Sequence, residues 1–211
     1  MKKLIVIGDS GHAKVIKDIA VSLDYRIVAV LDDKYTERTD SSIIFSPLIH
    51  LNEIIKETNG KLVIAIGSNE IRKKMIEQYD LADEQFVTLV SKAAHISPSV
   101  TIGSGTVVMP GAIINADVQI GRQVIINSGA VVEHDNVIGD YCHLSPNATS
   151  TGGVTIEQGT HIGAGAIINP QVRIGEWCTV GSGAAVIHDI DGYTTAVGLP
   201  AKAIKYRGHR I

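Results

Sequence analysis

From Ile96 onward the chain keeps a six-residue period without an insertion, and this constrains its fold more than any other feature. Counting by six from Ile96 to Val186, fifteen of sixteen positions are aliphatic, among them Ile102, Val108, Ile114, Ile126, Val132 and Ile138; the exception is Ser150. The fifth position of each hexad is usually small or β-branched, as at Ala112, Ala130, Ala148, Ala166 and Ala184. Glycine recurs at the second and fourth positions. A period of six suits neither a 3.6-residue helix nor a simple alternating strand. It suits a solenoid in which each hexad is one flat face, with one large and one small side chain turned inward and glycine at the corners. Three faces close a coil of about eighteen residues, so the run predicts a little over five coils. The core is correspondingly poor in rings: aromatics are 4% of 211 residues, against 21 glycines.

The coil fixes the cysteines too. Cys142 and Cys178 are two coils apart at fifth positions, which separates them by roughly 9–10 Å, beyond disulfide reach. Both are expected to be buried core thiols. Net charge is −3, and no Lys/Arg run exceeds two residues, which argues against a duplex-binding surface. No apolar run approaches the ~20 residues that span a bilayer, and Leu4–Ile7 is too short for a signal peptide, so a cytoplasmic protein is expected.

The first ninety residues form a different unit. Lys3–Ile7 is a short apolar run ending in Gly8-Asp9-Ser10-Gly11-His12, and Ala13–Leu23 follows with helical spacing. Arg26–Leu31 ends in Asp32-Asp33, and Leu62–Ile66 ends in Gly67-Ser68-Asn69 before a helical stretch, Glu70–Gln78. Phe86–Val90 reads as the last strand before the solenoid. Strand, glycine-rich turn, helix, strand is the βαβ order of a small parallel sheet, and ligands bind at the carboxyl ends of such strands. The first turn lacks the G-x-G-x-x-G dinucleotide fingerprint. Backbone N–H groups of Gly8–His12 are placed to meet a phosphate, and Asp32 or Asp33 to accept from a ribose or base. A nucleotide sugar is the expected ligand. The predicted domains are therefore 1–90, Rossmann-like, and 91–211, a β-helix with a C-terminal tail.

Inside the repeat the hexad rule fails twice, at Asn136 and Ser150, and a local breach of pattern marks a candidate site. Beside them stand His134 and Asp135, an imidazole with a carboxylate that can orient it and raise its basicity, as a general base near neutral pH requires. His143 lies in the same coil. His161, eighteen residues on, should stack on it at ~5 Å, which leaves a zinc site as an alternative, although no third ligand is evident. His50, His95, His188 and His209 have no distinguishing context and are expected at the surface.

Gly8-Asp9-Ser10-Gly11-His12 and Asp32-Asp33, joined to hexads containing Glu133-His134-Asp135-Asn136 and Gly139-Asp140-Tyr141-Cys142-His143-Leu144-Ser145-Pro146, resemble the NeuD/PglD-type sugar O/N-acetyltransferases. The run from Asn127-Ser128-Gly129-Ala130 through Ser150-Thr151-Gly152-Gly153 looks especially like the EpsM-like exopolysaccharide enzymes of bacilli within that family. Val197-Gly198-Leu199-Pro200-Ala201-Lys202 is similar to the common ending of hexapeptide acyltransferases. The resemblance implies a left-handed parallel β-helix, a homotrimer, acetyl-CoA between neighbouring β-helices, and no metal. It implies His134 as base and Asp135 as its support, where bacillosamine enzymes carry Glu. It further implies His143 at the thioester, and Gly152, Ala164 and Ser182 along the pantetheine, Ser182 replacing a glycine. Ser10, Gly11, His12, Asp32, Asp33 and Gly67 would hold the UDP portion. The implied reaction is direct N-acetylation of a UDP-linked 4-amino sugar. O-acetylation of a sialic acid-type sugar remains the alternative, since one histidine base serves an amine or a hydroxyl.

Overall fold

The computed structural model describes residues 2–39 and 41–206. The N-terminal unit is a four-stranded parallel sheet of β1 (Lys2–Ile7), β2 (Tyr25–Leu31), β3 (Ile44–Ser46) and β4 (Lys61–Ile64), in the order β3-β2-β1-β4. Helix α1 (Gly11–Ser22) crosses from β1 to β2, α2 (Leu51–Thr58) precedes β4, and α3 (Asn69–Tyr79) follows it. Strand order reverses between β1 and β4, the switch point at which open α/β sheets bind ligands. The strands are apolar on both sides because both faces are covered. Leu4 and Val6 pack on Ala13, Ile16 and Ile19 of α1. Ile5 and Ile7 pack on Leu51 and Ile54 of α2 and on Met75 and Ile76 of α3.

The remainder is a triangular prism of two-residue strands in three parallel sheets. Face one runs Leu89–Val90, Val107–Val108, Ile125–Ile126, His143–Leu144, His161–Ile162 and Thr179–Val180. Face two runs from His95–Ile96 to Ala185–Val186, and face three from Thr101–Ile102 to Arg173–Ile174. Register is eighteen residues from Leu89 to Val186, as in Ile125↔His143↔His161 and Val131↔Thr149↔Ile167. The aliphatic first positions and small fifth positions fill one continuous core, including Ile114, Ala130, Val132, Ala148, Ile156 and Ala184. Cys142 and Cys178 are free and buried within it.

The solenoid begins earlier than the strand expected over Phe86–Val90 suggests. Phe86 bridges to Leu62 of the N-terminal sheet, but Leu89–Val90 pairs with Val107–Val108 as the first strand of face one. The continuous run is therefore divided between two sheets. At the far end the period shortens: Thr179–Val180 pairs with Thr195–Ala196, sixteen residues on, and Thr194–Val197 forms an antiparallel hairpin with Lys202–Tyr206.

Candidate functional site

At the carboxyl end of β1 the chain turns tightly. Gly8 has φ +100°, and a Cβ there would lie 2.8 Å from the Ile66 side chain. The exposed Ser10 and Gly11 then open α1, giving the helix a polar entry without a side-chain cap. Asp32 accepts from the backbone N–H of Asp9 (2.7 Å) and of Lys34 (3.0 Å), and Asp33 accepts from that of Leu48 (3.2 Å). Both carboxylates are thus engaged in shaping the turns, and both border a cleft of about 340 Å³ with Gly8, Ile66, Lys74 and Tyr79. Beside it, partial burial would raise the Asp9 carboxyl, but Lys17, Lys34 and the Tyr35 hydroxyl override that and hold it well below the usual carboxylate range.

In the prism, His134 sits on the edge between faces two and three, following Val131–Val132 and preceding Val137–Ile138. Asp135 takes the left-handed corner, φ 61°, a conformation that Asp tolerates better than most residues. From there its carboxylate meets His134 Nδ1 at 2.7 Å. That hydrogen bond, with the Asp135 and Glu133 charges, raises the imidazole pKa. Among the described residues no hydrogen bond occupies Nε2. The ring lies against Gly152, one coil on, where a Cβ would stand 2.6 Å from Cε1 and 2.7 Å from Nε2.

His143 lies on face one, across the prism from the edge between faces two and three that carries His134, so these two residues of one coil are not brought together. His143 faces the N-terminal unit. Its Nδ1 is 3.2 Å from the Gly67 carbonyl and its Nε2 is 3.0 Å from the Asn127 amide. The ring stacks on His161 at 4.9 Å between centroids, as the eighteen-residue spacing predicts, and His12 lies 6.3 Å away. Burial first, then the neighbouring His161 and Arg72, push the His143 pKa down to about 3. Burial likewise lowers His12. Beneath α3, a second cleft of about 470 Å³ is lined by Gly67, Asn69, His143, His161 and Trp177. Among the described residues no group of three or more His, Cys, Asp or Glu is placed to hold a metal ion. His95 and His188 are exposed, His50 is half-exposed beside Glu53, and His209 lies outside the described residues.

Residues 3–79 match the family model described as the PglD N-terminal domain, and residues 94–134 and 153–188 match bacterial transferase hexapeptide repeats. Perosamine N-acetyltransferase from Caulobacter crescentus, solved with CoA and GDP-perosamine, is 33% identical over 97% of this chain and 98% of that one, with a TM-score of 0.88. The chain belongs to the PglD-type hexapeptide acetyltransferases. The acetyltransferase domain of PglB from Neisseria gonorrhoeae is 32% identical over 97% of this chain and all of that one, at a TM-score of 0.87. A curated relative, UDP-N-acetylbacillosamine N-acetyltransferase of Bacillus subtilis (strain 168), is 44% identical over 112 residues, about half the length of each.

The other residues that this PglD-type chain was expected to use divide between two edges. Ala164 and Ser182, both exposed, follow face one and precede face two, one coil apart. The two coils are held close here: a Cβ on Gly163, the residue before Ala164, would fall 2.5 Å from the Ser182 backbone nitrogen. His143 stands on the strand of face one leading into that same edge, while Gly152 shares the other edge with His134. Sequence reasoning missed Asn127 and Arg72. Asn127 occupies the second position of its hexad, one coil before Ser145 and two residues past the strand partner of His143, a signal the repeat itself carries.

Proposed function

We propose that the chain transfers acetyl from acetyl-CoA to the 4-amino group of a UDP-linked amino sugar, with His134 as general base supported by Asp135. The observation that carries this reading is the 2.7 Å contact of His134 Nδ1 with Asp135, on an exposed edge where Nε2 has no hydrogen-bond partner among the described residues. The amine attacks the thioester carbonyl carbon as its proton passes to Nε2; the C–S bond then breaks, and the protonated imidazole returns that proton to the sulfur, so that CoA leaves as the thiol and His134 is again neutral. No covalent intermediate on the protein is required. Burial pushes the Cys142 thiol up to about 12, where it carries no nucleophilic thiolate.

In this reading the N-terminal unit, 1–90, holds the nucleotide through Ser10, Gly11, His12, Asp32, Asp33 and Gly67. The β-helix, 91–211, performs the transfer. The distribution over two edges supports a homotrimer, in which the edge with His143, Ala164 and Ser182 on one protomer lines acetyl-CoA against the edge with His134 and Gly152 of the next. The outward row of face two carries Ile113, Val131, Ile167 and Ala185, with Thr149 between them and His95 at one end, a largely apolar surface of the kind a second copy would cover. We place the reaction in the cytoplasm, in assembly of an exopolysaccharide or related glycan, in keeping with an activated sugar as acceptor.

The test is thiol release from acetyl-CoA with three acceptors: UDP-4-amino-4,6-dideoxy-N-acetylglucosamine, GDP-perosamine and sialic acid. Turnover with the UDP-amino sugar is expected. Turnover with sialic acid alone would reassign the chain to O-acetylation. His134→Ala should lower kcat by ~10²–10⁴-fold with acetyl-CoA affinity nearly unchanged. Activity within a few-fold of wild type would remove His134 from the base role.

A further inference from the structure

Polar side chains at fifth positions of the prism share one habit. Thr106 donates to the Gly121 carbonyl (2.8 Å), Thr160 to that of Gly175 (2.7 Å), and the Cys142 thiol to that of Glu157 (3.0 Å). Each partner is fifteen residues on, so each bond ties a coil to the next. Asn136 does the same, donating to the Thr151 carbonyl at 2.7 Å. Only Asn136, however, also reaches back into its own corner. Of its two N–H groups one serves Thr151, and the other is shared between the Glu133 carbonyl (2.7 Å) and, at longer range, that of His134 (3.2 Å).

That second reach leaves the amide oxygen inside an apolar core, where an unmet acceptor costs ~1–3 kcal/mol. Ser150 meets it. Its hydroxyl donates to Asn136 Oδ1, from a first position where fifteen other hexads carry an aliphatic residue. Both side chains are fully buried. The two breaches of the hexad rule therefore explain each other, and stacking of the coils requires neither, since Thr or Cys at position 136 with an aliphatic at 150 would serve.

We infer that Asn136 and Ser150 are positioning residues that fix the backbone corner carrying His134, and with it the alignment of the imidazole between Asp135 and Gly152. The inference rests on the proposed role of His134. Asn136 holds the carbonyl of Glu133, the residue before His134, from within, and reaches the His134 carbonyl at 3.2 Å. Through Thr151 it also holds the residue before Gly152, the floor on which the ring lies. The charged groups facing the ring are Asp135 and Glu133, and Glu133 is itself held by the Asn115 amide at 2.8 Å.

The decisive variant is Asn136→Thr/Ser150→Val, which restores the hexad rule and keeps the tie between coils. It should fold, with a Tm equal to or above wild type. Its kcat should fall about 10- to 100-fold, in line with the cost of a misplacement near 1 Å, while KM for acetyl-CoA stays unchanged. The Cε1–H resonance of His134, followed by NMR across pH, should titrate lower than in wild type as the Asp135 contact loosens. A double variant with wild-type kcat and an unmoved His134 titration would overturn the inference. His134→Ala in the same assay separates the two ideas. If that variant stays active while the double variant shifts the resonance, the base assignment fails and the positioning stands.

Discussion

Two histidines of this chain are driven in opposite directions by their surroundings. His143 is buried, with its Nδ1 at the Gly67 carbonyl and its Nε2 at the Asn127 amide, so it is a neutral ring with both nitrogens engaged. Its pKa of about 3 keeps it neutral at every pH where an enzyme of this kind works. It can orient or donate, but it is poorly suited to carry a proton away. His134 is exposed and raised by the Asp135 carboxylate, so it is the better base and is lost at a higher pH. The sign is direct. Activity needs neutral His134, so it falls as pH drops through the raised pKa. Asp135→Asn removes the charge and should move the acidic limb of the kcat/KM profile to lower pH while lowering its plateau. An unmoved limb would show that some other group sets it.

Glycine at the edges of the prism serves two separate ends, and substitution should tell them apart. A Cβ on Gly163 would meet backbone of the next coil, with the Ser182 nitrogen at 2.5 Å and the Val180 carbonyl at 2.6 Å. A Cβ on Gly152 would meet first the rotatable His134 ring, with Cε1 at 2.6 Å and Nε2 at 2.7 Å. Gly163→Ala should therefore cost ~1–3 kcal/mol of stability by overpacking, read as a fall in Tm. Gly152→Ala should leave Tm nearly unchanged and lower kcat by displacing the base. The prism was legible in the sequence because its period is local and repeats sixteen times. Strand β3 and helix α2 were not. Ile44–Ser46 is three residues long and becomes a strand only by pairing with Ala29–Leu31, and α2 buries only Leu51, Ile54 and Thr58. Of the candidate site, the contact between His134 and Asp135 was legible by adjacency. The contact of His143 with Gly67 spans 76 residues and follows from how the two units pack, which no local spacing records.

The two units are joined through a buried arginine. Arg72 of α3 is 1% exposed and has no carboxylate partner among its hydrogen bonds. Its guanidinium donates instead to carbonyls on both sides: Ile66 and Gly67 in the N-terminal unit, Gln123, Tyr141 and Cys142 in the prism, and the Asn69 side chain. Burial pulls its pKa down to about 10, so it remains charged at neutral pH. Asn69 adds a bond of its own to the Gly159 carbonyl at 2.9 Å. Arg72→Met strips several buried acceptors at once and should cost at least ~3 kcal/mol. Calorimetry should then resolve two unfolding transitions where wild type has one, because the units lose their shared clamp. A single transition at the wild-type temperature would mean that apolar packing alone joins them.

The eighteen-residue register also makes position along the prism a matter of remainders. His134 and Gly152 leave the same remainder on division by eighteen and so share an edge; Ala164 and Ser182 leave another. Inserting a full coil between Gly152 and Ala164 would lengthen the prism by one step of ~4.8 Å and keep every residue on its own edge. Inserting a single hexad there would rotate everything downstream by a third of a turn, carrying Ala164 and Ser182 to the next edge, with each hexad still satisfying its own pattern. Chain length in this unit is therefore quantised: coils can be added as whole counts, and a site spread over two edges is preserved only by arithmetic in eighteens.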